Sequence, residues 1–140
     1  MKRYELIDHT ADIAIKAYGA TLEEAFACIA GAMFDIITDE ATITSLRRIE
    51  LEVESDDRES LLVAFLSGLI VKHEVESLVL NHFAVTFVGE NRLKASAWGE
   101  QFDETRHGGG THVKGVSYHM MEIVDGKGET PCHVQVLFDV

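Results

Sequence analysis

The sequence predicts an α+β fold in which two helices pack on mostly antiparallel β-sheet. Two segments place apolar residues at helical spacing, whereas the other segments alternate apolar and polar residues as strands do. The resulting order is roughly β-α-β-α-β-β-β-β, which is typical of an α+β sandwich. No linker, repeat or low-complexity stretch divides the 140 residues, so we expect a single domain over residues 1–140.

In the first half of the chain, a strand leads into the clearer of the two helices. Residues 4–18 are predicted as one extended segment that ends at Gly19. Thr21 and Glu24 have the spacing of a capping box and predict the start of a helix. Residues 48–54 then alternate aliphatic side chains with glutamates, which indicates a half-buried strand. The apolar stripe of the first helix consists of Leu22, Ala25, Phe26, Ile29, Ala30, Met33, Phe34 and Ile37.

The second half contains one more helix and then only strands. Asp56 or Asp57 is predicted to cap the second helix, and Pro131 suits the start of the last strand. Residues 89–92 have the composition of a turn between two strands. The second helix carries its apolar stripe on Leu61, Leu62, Phe65, Leu66, Leu69 and Ile70, and the strands are expected around residues 83–87, 93–97, 113–124 and 133–139.

Charge and cysteine content limit the classes of function. With 24 acidic and 12 basic residues the net charge is −12, which would repel a phosphate backbone, so we expect no tight direct binding of nucleic acid. The same charge suits a basic partner. No apolar run is long enough to span a bilayer. The two cysteines, Cys28 and Cys132, favour a reducing cytoplasm over a disulfide scaffold, because Cys28 lies on the apolar side of the first helix.

The histidines do not predict a zinc site. Structural and catalytic zinc sites use short, recognisable spacings such as CxxC or HExxH, and none occurs here. Scattered histidines of this kind are typical of surface or core positions. The seven are His9, His73, His82, His107, His112, His119 and His133.

A glycine-rich loop follows His107 and is surrounded by basic side chains. His107-Gly108-Gly109-Gly110 resembles an oxyanion loop, but the nucleophile elbow that would accompany it is absent. We therefore interpret the segment as a flexible loop between strands. Two interpretations of the basic residues remain open, namely contact with phosphate and neutralisation of nearby acids. These residues are Arg106, His107, His112 and Lys114.

Two aspartates near opposite ends of the chain are the strongest candidates for a site. Asp139 lies beside the free α-carboxylate of Val140, and both groups are ionised at neutral pH. If the fold brings Asp12 to them, three hard oxygen ligands converge, as Ca²⁺ or Mg²⁺ prefers. The alternative is that Asp12 is a strand-end or turn residue and that Asp139 is a solvated chain end.

Four segments, in order, carry a resemblance that spans nearly the whole chain. They are Asp8-His9-Thr10-Ala11-Asp12 with Gly19 and the following helix, Trp98-Gly99-Glu100 running to Arg106-His107, Val113-Lys114-Gly115-Val116-Ser117-Tyr118-His119, and Val136-Leu137-Phe138-Asp139-Val140. Together they resemble the archease family. One strand departs from the family pattern: the usual K-A-V-T-Y-H is replaced by a sequence with Gly115 and Ser117, of which Ser117 keeps the hydroxyl.

The resemblance implies an accessory protein rather than an enzyme. Archeases activate the RtcB-type RNA ligase of tRNA splicing and RNA repair, promoting its guanylylation and multiple turnover. It also implies a divalent-metal site at Asp12, Asp139 and Val140, with calcium expected and magnesium or manganese as alternatives. Further residues are expected to contact the partner or its phosphate: His9, Arg106, His107, Lys114, Tyr118 and His119.

Two other functions fit the residues less well. An independent metal-dependent hydrolase of phosphate esters would use the carboxylates and a metal, but no nucleophile or general base is marked in the sequence. An acidic chaperone or adaptor would exploit the negative surface instead. Neither alternative explains both ends of the chain at once.

Overall fold

A computed structural model describes residues 4–8, 12–108, 110–126 and 130–140. Within these ranges the order is β-β-α-β-α-β-β-α-β-β, so the α+β class with antiparallel sheets is confirmed. No helix there is long and apolar enough to cross a membrane. The elements are β1 (Tyr4–Asp8), β2 (Asp12–Gly19), α1 (Leu22–Ile37), a 3-10 turn (Glu40–Thr42), β3 (Arg47–Glu54), α2 (Arg58–Glu76), β4 (Leu78–Phe87), β5 (Arg92–Gln101), α3 (Glu104–His107), β6 (Gly115–Val124) and β7 (Cys132–Asp139).

The first predicted strand is in fact two strands. β1 and β2 pair antiparallel, with Tyr4 opposite Ala17 and Asp8 opposite Ile13, so the chain reverses between them. This reversal is not predicted from the sequence because no glycine or proline marks it. Residues 9–11 lie outside the described residues, so the predicted partner contact of His9 stays a prediction.

Two antiparallel sheets enclose the helices. One has the strand order β1-β2-β7-β6 and the other β3-β5-β4. Helix α1 contacts β2 and β7 of the first sheet and β4 of the second, while α2 contacts β6 and β3. The last strand, β7, therefore lies inside its sheet between β2 and β6. This position fixes the end of β7 next to the start of β2.

Helix α1 begins and packs as its sequence predicts. The Thr21 hydroxyl accepts a hydrogen bond from the Glu24 amide at 3.1 Å, and the Glu24 carboxylate accepts one from the Ala20 amide at 2.7 Å. The first bond satisfies an amide that the first turn leaves without a partner. The second reaches Ala20, one residue before the N-cap Thr21, and not the N-cap amide that a capping box would use. Leu22 is only half-buried, and the fully or nearly fully buried stripe is Ala25, Phe26, Ile29, Ala30, Met33, Phe34 and Ile37.

Helix α2 is capped by Asp57, one of the two predicted residues. Its side chain accepts a hydrogen bond from the Ser60 amide at 2.8 Å, and the Asp57 amide donates one to the Ser60 hydroxyl at 3.3 Å. All six predicted apolar residues of the stripe are buried. The helix ends at Ser77, whose φ of 54° and ψ of 40° are left-handed, and β4 starts at the next residue.

Candidate functional site

Asp12 and Asp139, which we call the acid pair, lie directly opposite each other. Asp12 is the first residue of β2 and Asp139 the last of β7, and the two are the final partners in the antiparallel ladder. Side chains directly opposite each other project from the same face with Cβ atoms about 4.5–5.5 Å apart. The fold therefore brings together the two aspartates that the sequence singles out, from positions 127 residues apart.

The carboxyl end of β7 is held from three directions. Gly115 of β6 lies opposite Asp139 on the side away from β2, and the Lys114 amide donates a 2.7 Å hydrogen bond to the Asp139 carbonyl. Phe138 is fully buried, and Val140 packs in part against the hydrophobic core. The end of β7 is consequently held beside Asp12 by β-pairing and packing.

Negative charge accumulates at the acid pair, and no ion pair among the described residues offsets it. Asp139 is exposed and Asp12 half-buried, and neither forms an ion pair in the part of the chain that the structure describes. Like charges directly opposite each other on a sheet are destabilising. A cation between them would remove that repulsion, and Lys114 is the basic residue whose backbone is bonded to Asp139.

The donor set suits a hard cation but leaves its coordination open. Across the described residues, no group of three or more His, Cys, Asp and Glu side chains is arranged to hold a metal ion. Two aspartates and the α-carboxylate of Val140 supply oxygen atoms, the type that Ca²⁺ and Mg²⁺ take. Because Ca²⁺ takes about 6–8 oxygens, these groups fit such an ion only if water or a partner supplies other ligands.

Tyr118 and His119 lie farther along β6 than the acid pair. Regular pairing with β7 is interrupted between Ser117 and Glu122, and Met120 adopts a positive φ of 61°. At about 3.3 Å per residue, Tyr118 is about 10 Å along the strand from Gly115. Both Tyr118 and His119 are exposed. Both residues therefore lie in the irregular part of β6 and not beside the acid pair.

The predicted basic cluster at the glycine loop is partly a buried network, which we call the Glu100 network. Because the His107 Nδ1 atom accepts a hydrogen bond from the Asp103 amide at 2.8 Å, its Nε2–H donates to the Glu100 carboxylate at 3.0 Å. The Thr44 amide donates to the same carboxylate at 2.6 Å, and Arg106 forms an ion pair with it. Of the predicted basic residues, Arg106 neutralises this acid and neutral His107 donates a hydrogen bond to it, which favours the second of the two interpretations for these two residues.

Burial decides what these residues can contact. The side chain of His107 is fully buried, and Glu100 is 4% exposed. The amide of Thr44 first, and then the side chains of Arg106 and His107, lower the pKa of Glu100 to about 2. His107 is thus enclosed, contrary to its expected contact with a partner or phosphate, whereas half the Arg106 side chain is exposed. In the sequence, this network is marked by Glu100, which Arg106 and His107 follow six and seven residues later.

The glycine loop itself is fixed where the structure describes it. The Thr38 hydroxyl donates a hydrogen bond to the His107 carbonyl, and the Thr111 amide donates one to the Ile36 carbonyl at 2.9 Å. Gly110 lies so close to the end of α1 that an added Cβ would sit 1.5 Å from the Ile37 carbonyl oxygen. These contacts hold the described part of the loop against α1, contrary to the interpretation of the segment as a flexible loop. Gly109 lies outside the described residues.

The sequence matches the model of a known protein family over nearly its whole length. The Archease protein family (MTH1598/TM1083) matches residues 4–140. The chain belongs to the archease family.

Relatives in archaea and in a fish support this membership. The archease of Pyrococcus furiosus is 43% identical over 126 residues, which cover 88% of this chain and 89% of that protein. The archease of Aeropyrum pernix is 41% identical over 138 residues, covering 95% and 94%. The archease of Ictalurus punctatus is 40% identical over 133 residues, covering 89% and 78%.

Two solved structures share the fold. The solution structure of Methanobacterium thermoautotrophicum protein 1598 superposes with a TM-score of 0.82 at 34% identity and covers all of both chains. The crystal structure of a Thermotoga maritima protein, described as an archease and possible chaperone, superposes with a TM-score of 0.62 and covers 96% of this chain and 94% of that one. At 20% identity the second likeness supports the fold alone.

Proposed function

We propose that this protein activates an RtcB-type RNA ligase in tRNA splicing and RNA repair and is not itself the catalyst. It would promote guanylylation of the ligase and allow repeated turnover. Membership of the archease family supports this class of role. The observation that carries it is the placement of Asp12 opposite Asp139 at an exposed strand end, where a partner can reach both carboxylates.

In this proposal the acid pair and the Val140 carboxylate hold a divalent metal, with calcium first and magnesium or manganese as alternatives. A metal there supplies a positive charge with open coordination positions. The chain's own residues present that charge at the molecular surface and set its distance from the rest of the fold. Lys114, Tyr118 and His119 on the adjoining segment, together with the exposed half of Arg106, would contact the ligase or its phosphate groups.

The thiols and the charge support a cytoplasmic setting. Cys28 and Cys132 are not joined in a disulfide, as is usual in a reducing cytoplasm. Burial raises the pKa of the Cys132 thiol, so this cysteine is unreactive. The net charge of −12 favours a basic protein surface as the partner and disfavours tight binding of RNA by this chain alone.

The test is RNA ligation by an RtcB-type ligase from the same source, with RNA in excess over ligase and with GTP and divalent metal present. We expect the ligase to pass from a single turnover to many when the protein is added. Asp12→Asn and Asp139→Asn should each abolish this stimulation, because each replaces an anionic metal ligand with a weaker neutral one while keeping the size of the side chain. Circular dichroism and thermal unfolding would establish that both variants are folded.

A matched variant controls for the loss of one negative charge. Asp56 is exposed in the connection before α2, away from the acid pair in the fold, so Asp56→Asn should stimulate as the wild type does. Unchanged ligase turnover with the wild-type protein would contradict the proposal. Metal-dependent hydrolysis of a phosphate ester without ligase, lost in Asp139→Asn, would favour the hydrolase alternative. Suppression of aggregation of unrelated proteins by all variants alike would favour the chaperone alternative.

A further inference from the structure

A cavity of about 510 Å³ opens between the end of α2 and the loop that follows α3. His73, Glu74 and Ser77 line it on the helix side, and Phe102, Thr111 and His112 are among the residues opposite. It shares no residue with the acid pair. A volume of this size is in the range of pockets for small ligands, and we call it the α2 cavity.

Aromatic rings form a fixed wall of the α2 cavity. The ring of Phe102 lies 6.4 Å from that of His73, edge to face at 88°, and 5.8 Å from that of His107. Phe34 supports His73 from behind at 6.1 Å. The Phe102 amide donates a 2.7 Å hydrogen bond to the Ser77 carbonyl, which holds the ring at the cavity. Phe102 is half-buried, so part of its surface remains for a ligand.

The groups available for hydrogen bonding in this cavity are mainly acceptors. His73 Nδ1 lies 2.8 Å from the Leu78 carbonyl, and because a carbonyl only accepts, Nδ1 carries the proton and neutral His73 presents a lone pair at Nε2. Within the described residues, Nε2 has no hydrogen-bond partner. The Glu74 carboxylate adds two more acceptor atoms, and the His112 ring approaches it at 3.6 Å.

The cation content of the lining decides against an anionic ligand. No lysine or arginine is among the described lining residues, so a phosphate or carboxylate ligand would find no permanent positive charge. The protein as a whole carries a net charge of −12, which attracts cations. An aromatic wall combined with a carboxylate is the arrangement that recognises an organic cation.

The turn that shapes the cavity uses a residue that is uncommon in its conformation. Ser77 is left-handed, with φ of 54°, at the junction between α2 and β4, although glycine adopts this conformation without cost. Left-handed backbone in a residue other than glycine is strained, and such strain clusters at ligand sites. With serine at this position, the cavity has a hydroxyl group that glycine would not supply.

We propose that the α2 cavity binds a guanidinium group, which stacks on Phe102 and donates hydrogen bonds to the Glu74 carboxylate and to His73 Nε2. A guanidinium is planar, carries five donors and stacks on aromatic rings, whereas a lysine ammonium has no plane to stack. The group is borne either by an arginine side chain exposed on a protein partner or by a free guanidino compound. This site is independent of the proposed activation of a ligase.

The test is a titration of the ¹⁵N-labelled protein with N-acetyl-arginine amide, followed by NMR. We expect saturable shifts of the amides of Phe102, Glu74 and Thr111 and of the His73 ring nitrogen. N-acetyl-citrulline amide, which has nearly the same shape but no charge, should produce none of them. Glu74→Gln should weaken binding roughly tenfold, as expected for the loss of a charge-assisted hydrogen bond.

A second variant separates the site from a general effect of charge. Glu90 lies exposed in the turn between β4 and β5, so Glu90→Gln changes the net charge equally and should leave the affinity unaltered. Tighter binding of a short arginine-containing peptide than of the free derivative would assign the group to a protein partner, and equal binding would assign it to a small molecule. Equal shifts with citrulline, or equal affinity in Glu74→Gln and the wild type, would overturn the proposal.

Discussion

The acid pair and Glu100 are carboxylates in two regions of one fold, and their surroundings are opposite in kind. The carboxylate of Glu100 is buried and receives hydrogen bonds from a backbone amide, an arginine and a histidine. Asp12 and Asp139 face each other at a strand end with no ion pair among the described residues. A carboxylate whose acceptor sites are filled internally stabilises the fold, whereas one left open is available to a ligand.

The largest effect is expected where the carboxylate is already satisfied. Glu100→Ala leaves the Thr44 amide and the His107 Nε2–H buried without an acceptor, and we expect it to lower the free energy of unfolding by about 3 kcal/mol. Urea denaturation measures this loss. Glu104→Ala, at an exposed position in α3, should change the free energy by less than about 0.5 kcal/mol. Similar values for the two variants would show that the Glu100 network contributes little.

The glycine loop next to that network should be nearly as sensitive. Gly110→Ala would place a Cβ atom 1.5 Å from the Ile37 carbonyl oxygen, so the loop or the end of α1 must move. We expect a loss of about 2 kcal/mol, the usual range for forced overpacking. Thermal unfolding is the measurement. A fully stable Gly110→Ala variant would mean that the loop is free to shift away from α1.

The acid pair should affect the stability of the protein when metal is bound, and mutation of the pair without metal should have little effect. If Ca²⁺ binds with a Kd of about 1 mM, about 10 mM Ca²⁺ stabilises the wild type by about 1.4 kcal/mol. Asp12→Asn and Asp139→Asn should lose this increment, while without metal they should be as stable as the wild type or slightly more so, because a like-charge contact is gone. Thermal unfolding with Ca²⁺ and with chelator tests both statements. Equal Ca²⁺ stabilisation in the variants would place the metal elsewhere.

Lowering the pH should separate the two regions, because it removes the contribution of Glu100 to stability. Because the folded-state pKa of Glu100, about 2, lies below its ordinary 4.5, its contribution to stability is fully present above the ordinary value and is lost as the pH falls through about 2. The urea midpoint of the wild type should therefore fall between pH 4.5 and 2. In Glu100→Gln the fall over this interval should be shallower. Parallel curves would mean that other carboxylates dominate acid unfolding.

Much of the fold follows from local patterns. The stripes of α1 and α2 repeat at three and four residues, and capping side chains mark both starts, so those helices are predictable. The reversal between β1 and β2 is not, because residues 9–11 contain no glycine or proline. The division into two sheets also depends on long-range pairing, such as β2 with β7, that no local pattern encodes.

The candidate site was predictable only in part, for the same reason. The unusual chain end at Asp139 drew attention from sequence, but its contact with Asp12 depends on β7 lying between β2 and β6. His107 was misjudged because a glycine-rich neighbourhood suggests an open loop. The burial of His107 depends on its contact with Glu100. Alternation of apolar and polar residues places Glu100 on a strand but does not reveal that its carboxylate points into the interior.

Gly115 offers the smallest and most local comparison, because it lies opposite Asp139 at a position where the family pattern has alanine. Unlike Gly110, it has nothing within 4 Å of an added Cβ atom. Gly115→Ala should therefore stabilise the protein by about 0.4–1 kcal/mol, since alanine lowers the conformational entropy of the unfolded chain. Urea denaturation measures this change, and ligase stimulation should be unaltered. A loss of stability would indicate that β6 needs the freedom of glycine beside the acid pair.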